Sequence, residues 1–235
     1  MGGRAPKLYE HMTFESRIDM EQTAKNTPKA QGGAESRRWG VKEVVTAVLF
    51  SALIIVIQIS IAAISTINID VSMVASTAIS SFAVAPLYFL MIMRVNRFGT
   101  TIFLAGLTSL AFCLMGNYWY MIPFYFAGGL IIELLFLRTP ALRSKPNCVV
   151  GAWTTYSSLY VLSSIIPIYV NLTAYIQETL EVRQVGQAYI DAYLKYYTSW
   201  EWLVGIVAIT AIGGLLGALV GKRLMKKHFA KAGAI

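Results

Sequence analysis

Charge is missing from most of this chain. No Asp, Glu, Lys or Arg occurs from Val44 to Ile69, Val71 to Met93, Phe98 to Ile132, Cys148 to Gln177 or Trp202 to Gly221. Each run reaches or exceeds the roughly 20 residues that a helix needs to cross hydrocarbon, which excludes an ordinary water-soluble domain. Cysteine is scarce too: Cys113 and Cys148 are the only two. The spans derived below put them near opposite faces of a membrane, which excludes a disulfide between them. His11 and His228 lie in the terminal segments, so no histidine stands inside an apolar run to hold a metal.

Several chemistries are absent by motif. The chain has no Walker loop, HExxH, GxSxG or CxxC, and no acid and base share an apolar run. We therefore expect no catalytic residues, no metal ligands and no cofactor, and a binding or transport role rather than chemistry. A non-transport polytopic membrane scaffold or an intramembrane enzyme is the alternative.

What remains is a pattern of apolar runs separated by short polar loops. The runs lack the in-out alternation of barrel strands, so they predict an all-α, polytopic bundle. The third run is long enough for two crossings joined by a turn at Gly116 and Asn117. Six transmembrane helices result: Val41 to Ile67, Met73 to Met93, Thr100 to Met115, Tyr118 to Leu137, Val149 to Val170 and Trp202 to Met225. Residues 1–38 are polar and of mixed charge, and read as a disordered cytoplasmic tail ahead of a membrane domain at 39–235.

Basic residues set the orientation. Arg37, Arg38 and Lys42 precede the first helix, Arg94 and Arg97 follow the second, and Arg138, Arg143 and Lys145 follow the fourth. Lys222, Arg223, Lys226, Lys227 and Lys231 follow the sixth. With six crossings all these fall on one side, which predicts that both termini are cytoplasmic. The opposite loops carry Asp70 and, after the fifth helix, Glu178, Glu181, Arg183, Asp191, Lys195 and Glu201. The net charge of +8 then reflects inner-leaflet anchoring and not nucleic-acid binding. The C-terminal basic cluster suits anionic lipid or a docking partner.

Three polar features stand inside the apolar pattern. Gln58 is the only amide in the middle of the first helix, and an unpaired amide in hydrocarbon costs a few kcal/mol, so it should face the bundle. Glu133, five residues before Arg138, reads as a partner of a basic residue or of a helix end. Between Gln177 and Trp200, Val185, Tyr189, Tyr193 and Tyr197 recur every four residues, with Asp191 and Lys195 as an i, i+4 pair on another face. That period predicts an amphipathic outer helix, either a lid over the mouth or a segment resting among headgroups.

The string GALVGKRLMKKHFAKAG at 217–233, with KEVV at the start of the first helix and six spans, resembles the energy-coupling factor (ECF) transporter S-components of the Trep_Strep group. The resemblance covers Val41 to Ile235. It implies a prokaryotic plasma-membrane protein that captures a vitamin-like or other small micronutrient outside the cell. A transmembrane coupling subunit and two ATPases would then drive release inside, and this chain would hydrolyse nothing. It further implies that small residues on the first helix, here Ala47, Ser51 and Ala52, meet the coupling subunit; packing inside the bundle is the other reading of the same patch.

The resemblance also places the ligand toward the outer ends of the helices, where flat aromatic faces and a few polar groups are available. The candidates are Gln58, Asn117, Tyr118, Trp119, Tyr125 and Tyr156, followed by Tyr160, Tyr169, Asn171 and Trp202. An interfacial aromatic belt competes for Trp119 and Trp202, and explains the deeper Tyr125, Tyr156 and Tyr160 less well. Gly213, Gly214, Gly217 and Gly221 on the sixth helix are assigned to close packing inside the molecule.

Overall fold

A computed structural model describes residues 39–116, 118–182 and 184–229. The tail at 1–38, Asn117, Arg183 and Lys231 lie outside the described residues. Among those described, every regular element is helical. In chain order they are α1 (Val41–Ser65), α2 (Ile69–Val74), α3 (Ser76–Val95), α4 (Thr100–Leu114), α5 (Met121–Phe136) and α6 (Pro140–Arg143). There follow α7 (Pro146–Ser163), α8 (Ile166–Glu181), α9 (Gln187–Thr198) and α10 (Trp200–Leu224), which continues as a π turn at Met225–Phe229.

Four stretches are long and apolar enough to cross a membrane: α1, α3, α7 continued by α8, and α10 with its π turn. α4 and α5 are apolar but shorter. At about 1.5 Å per residue each covers roughly 22–24 Å, somewhat less than the roughly 30 Å of a hydrocarbon core.

Local chemistry sets the helix ends. Glu43 Oε2 accepts the Gly40 N–H at 3.1 Å at the start of α1, while Asn68 Oδ1 accepts the Val71 N–H at 3.1 Å and starts α2. Asn96 ends α3 in the left-handed region at φ 44°, and Gly99, at φ 92°, turns the chain into α4. Pro146 stands at the first turn of α7, where its missing N–H costs nothing.

One expectation is corrected in the second half of the chain. The single helix expected from Val149 to Val170 stops at Ser163, the chain bends through Ser164 and Ile165, and Pro167 lies in the first turn of α8. α8 is itself kinked at Asn171, whose φ/ψ of −164° and 87° are not helical. There the Asn171 side chain accepts the Ala174 N–H at 3.0 Å and caps the second half of α8.

α3 is the central rod, in contact with α1, α10 and α7. Its Tyr88, Phe89, Met91 and Ile92 are fully buried. Trp153 of α7 donates its indole N–H to the Ser81 carbonyl at 2.9 Å, and its ring lies 4.7 Å from that of Tyr88. α10 approaches α3 more closely than side chains would allow: a Cβ on Gly213 would fall 2.6 Å from the Ala78 carbonyl oxygen, and one on Gly217 would overlap the Phe82 backbone. In a bundle surrounded by lipid, such backbone approach supplies the packing that hydrophobicity cannot.

The outer surface of the bundle is apolar, with Leu49, Val56, Leu135, Ile212 and Leu216 exposed. Hydrocarbon accepts such a surface and water does not. The inner stripe of α1 holds Ala47 and Ser51, both fully buried, with the Ser51 hydroxyl 3.7 Å from the Met91 sulfur. These two small residues therefore serve contact within the chain, and of the patch expected to meet a partner only Ala52 is exposed.

The basic loops gather at one end of the bundle. There Arg97 pairs with Glu43 at 3.1 Å, and Lys222 donates to Asn147 at 2.7 Å. Arg143 is buried: its Nε donates to Asn96 Oδ1 at 3.0 Å and its Nη1 to the Leu137 carbonyl at 2.7 Å. Burial lowers its pKa from the ordinary arginine value, while the nearby Glu133 pulls it back up. Glu133 is fully buried and accepts the Thr101 N–H at 2.7 Å, so it serves the start of α4.

Candidate functional site

At the opposite end of the bundle, α9 docks across the chain through tyrosine hydroxyls. Tyr193 donates to the Ser164 carbonyl at 2.5 Å, Tyr197 to the Met73 carbonyl at 3.0 Å and Tyr196 to Asp70 Oδ1 at 2.6 Å. The amphipathic helix expected here is present, and Ile190, Tyr193 and Tyr196 are its most buried residues. The expected Asp191–Lys195 pair is replaced. Lys195 turns to the Tyr196 hydroxyl at 3.1 Å and to Asp70 at 4.0 Å, while Asp191 accepts the Gln187 amide at 3.0 Å. The Tyr196 hydroxyl thus accepts from Lys195 and donates to Asp70, which raises the Lys195 pKa. Burial lifts Tyr197 to about 12 and raises Tyr193 as well.

Beside this helix lies a cavity of about 470 Å³. α1 contributes Gln58, Ile59 and Ala62, α4 contributes Phe112 with Met115 just past its end, and α5 contributes Met121 and Tyr125. Tyr160 and Ser163 come from α7, Ser72 from α2 and Tyr189 from α9. Three aromatic rings stand against one another at steep angles: Phe112 to Tyr160 at 5.9 Å, Tyr125 to Tyr160 at 6.1 Å and Phe112 to Tyr125 at 6.5 Å. The Tyr125 hydroxyl is tied to Ser163 Oγ at 3.1 Å, which fixes that ring.

No Asp, Glu, Lys or Arg is among the described residues that line this cavity. Its polar groups are hydroxyls and one amide, that of Gln58. Gln58 is 6% exposed and makes no hydrogen bond to the described residues. Its amide atoms are not among the buried unpaired ones, so the amide opens onto the cavity, where a bound molecule can pair with it. This is the strongest mark of a binding site on the molecule, since an amide offers both a donor and an acceptor.

The structure sorts the residues expected from sequence. Gln58, Tyr125 and Tyr160 come together in the cavity wall, and Tyr156 lies just behind, sharing with Tyr125 and Tyr160 a narrow crevice between α5 and α7. The Tyr156 ring stacks on Trp153 at 5.6 Å. The others stand away from it. Tyr118 stacks on Tyr120 at 5.0 Å, Trp119 is 75% exposed, and Tyr169 is 82% exposed. Asn171 is occupied as a helix cap, and Trp202 lies edge-on to Tyr196 at 5.0 Å as part of the α9 docking contacts.

Phe112, Ser72, Ser163 and Tyr189 also line the cavity and were not singled out as ligand groups. For Tyr189 a signal existed, since the four-residue period placed it on the same face as Tyr193 and Tyr197. The serines carry no such signal. Among the described residues, no cluster of His, Cys, Asp and Glu is arranged to hold a metal, and Cys113 and Cys148 are free thiols.

Residues 41–231 match the family model described as a hypothetical bacterial integral membrane protein (Trep_Strep). No curated protein and no solved structure matches the chain.

Proposed function

Because the chain belongs to the Trep_Strep family of bacterial integral membrane proteins, we propose that it is a substrate-binding subunit of an ECF-type importer. In this reading it crosses the plasma membrane six times with both termini in the cytoplasm, and α9 lies over the outer mouth of the bundle. The gathering of basic loops at the end away from α9 supports that orientation.

One observation carries the reading: the unpartnered Gln58 amide in a cavity walled by Phe112, Tyr125 and Tyr160. A flat, uncharged micronutrient would stack on those rings and satisfy the amide. A polyanion or a metal ion would find no compensating charge among the described residues that line the cavity. α9 would act as the lid that excludes water once the molecule is bound.

The chain contains no ATP-binding motif, so release would be driven by a transmembrane coupling subunit and two ATPases. With Ala47 and Ser51 turned inward, the surface of α1 left for the coupling subunit is the exposed stripe of Val48, Ala52 and Val56. Affinity purification from bacterial membranes tests the assignment. Recovery of a coupling subunit and two ATPases, with ATP-dependent uptake by the reconstituted assembly, supports it. Recovery of the chain alone, or uptake indifferent to ATP, contradicts it.

A further inference from the structure

A second cavity of about 360 Å³ adjoins the first. Thr66, Ser72 and Tyr189 line both, so the two chambers share a wall. The far side of the second is formed by Thr179 of α8 together with Val185, Gly186 and Ala188 at the start of α9. Its polar groups are again uncharged hydroxyls.

Thr179, like Gln58, stands in a cavity wall. It is 1% exposed, and its hydroxyl is buried without a hydrogen-bond partner among the described residues. In helices a threonine hydroxyl usually returns to a carbonyl of the preceding turn, as Thr154 does with Val150 at 3.0 Å. Thr179 does not, although its own carbonyl is engaged, accepting the Val185 N–H at 3.1 Å where the chain turns toward α9. An unsatisfied hydroxyl in the wall of a cavity is a place for a ligand group that donates or accepts.

We propose that the two chambers form one bipartite site for an uncharged molecule with a flat heteroaromatic head and a hydroxylated arm, the chemistry of a nucleoside. This inference rests on the reading of the Gln58 cavity as a ligand site. The head stacks among Phe112, Tyr125 and Tyr160 and pairs its edge with the Gln58 amide. The arm passes Tyr189 between Thr66 and Ser72 and reaches the Thr179 hydroxyl. A phosphorylated arm is disfavoured because no cation is among the described residues that line the second chamber.

Equilibrium dialysis of the full-length protein in lipid nanodiscs tests this, with adenine, adenosine and adenosine monophosphate as probes and uracil, uridine and uridine monophosphate as a second set. The expected order is nucleoside tighter than free base by tenfold or more, with the monophosphates not retained. Thr179→Val should bring the nucleoside to the level of the base and leave base binding unchanged, and thermal unfolding should confirm that the variant is folded. Equal binding of base and nucleoside, or a Thr179→Val protein that still prefers the nucleoside, overturns the bipartite site and leaves the Gln58 cavity standing. Base binding that survives Gln58→Leu overturns the underlying reading, and binding of no probe overturns the nucleoside assignment.

Discussion

Tyr196 donates its hydroxyl to Asp70 at 2.6 Å, across 126 residues of sequence, and so joins α9 to the start of α2. A hydrogen bond to a carboxylate is worth about 1.5–3 kcal/mol, at the lower end where water competes. Tyr196→Phe and Asp70→Asn should each loosen α9, raising amide hydrogen exchange at 187–198 by roughly tenfold, since about 1.4 kcal/mol is a factor of ten. The double variant should add little to either single one. Exchange at α3 is expected to stay unchanged; a global increase would show that the contact supports the whole fold instead.

The same helix should respond to alkali. Tyr197 is lifted by burial to about 12 and Lys195 is raised chiefly by its hydrogen bond to the Tyr196 hydroxyl. Both shifts are upward, so both favour the protonated form in the folded state. Their contribution is complete below the ordinary tyrosine and lysine values and is lost as pH rises through the folded values. Docking of α9 should thus hold at neutral pH and fail between about 10 and 12. An absorbance titration near the phenolate band should lose a late step in Tyr197→Phe.

Glycines on α10 separate packing from propensity. Gly217→Ala drives a methyl into the Phe82 backbone, and a cost of about 1–3 kcal/mol is expected from overpacking. Gly205→Ala on the same helix meets nothing within 4 Å and should be neutral or stabilising by up to about 1 kcal/mol. Thermal unfolding in detergent checks the pair, and equal effects at the two positions would remove close approach as the explanation.

Arg143 ties three segments together at the basic end through Asn96 and the Leu137 carbonyl. Arg143→Ala leaves both acceptors without their donor and should destabilise by about 3 kcal/mol. Arg143→Lys should recover part of this, because an ammonium cannot reproduce the fork. Lower melting temperatures in that order are the expected result.

Much of this was legible in the residues. Gln58 stood out because one amide in a long apolar run has to be placed somewhere, and burial against the bundle is the cheapest solution. The α10 glycines were readable for a similar reason. Asn171 was not: an asparagine beside a tyrosine suits a ligand as well as a cap, and only the kink in α8 decides between them. Ala47 and Ser51 fit an inward or an outward stripe equally, because helix periodicity sets which residues share a face and not which neighbour that face meets. Lys195 left its i, i+4 partner because Asp70, far off in sequence, came within reach. The α2 helix is too short to show a period, and with it the shared wall at Ser72 stayed hidden.

The central claim is that a small uncharged molecule satisfies the Gln58 amide. Mass spectrometry of the compounds released from purified wild-type protein and from Gln58→Leu, with Trp202→Phe as a control outside the cavity, tests it most directly. The account predicts an uncharged aromatic compound held by wild type and by the control, and reduced at least tenfold in Gln58→Leu, about 1.4 kcal/mol or more. Equal retention by wild type and Gln58→Leu would contradict it.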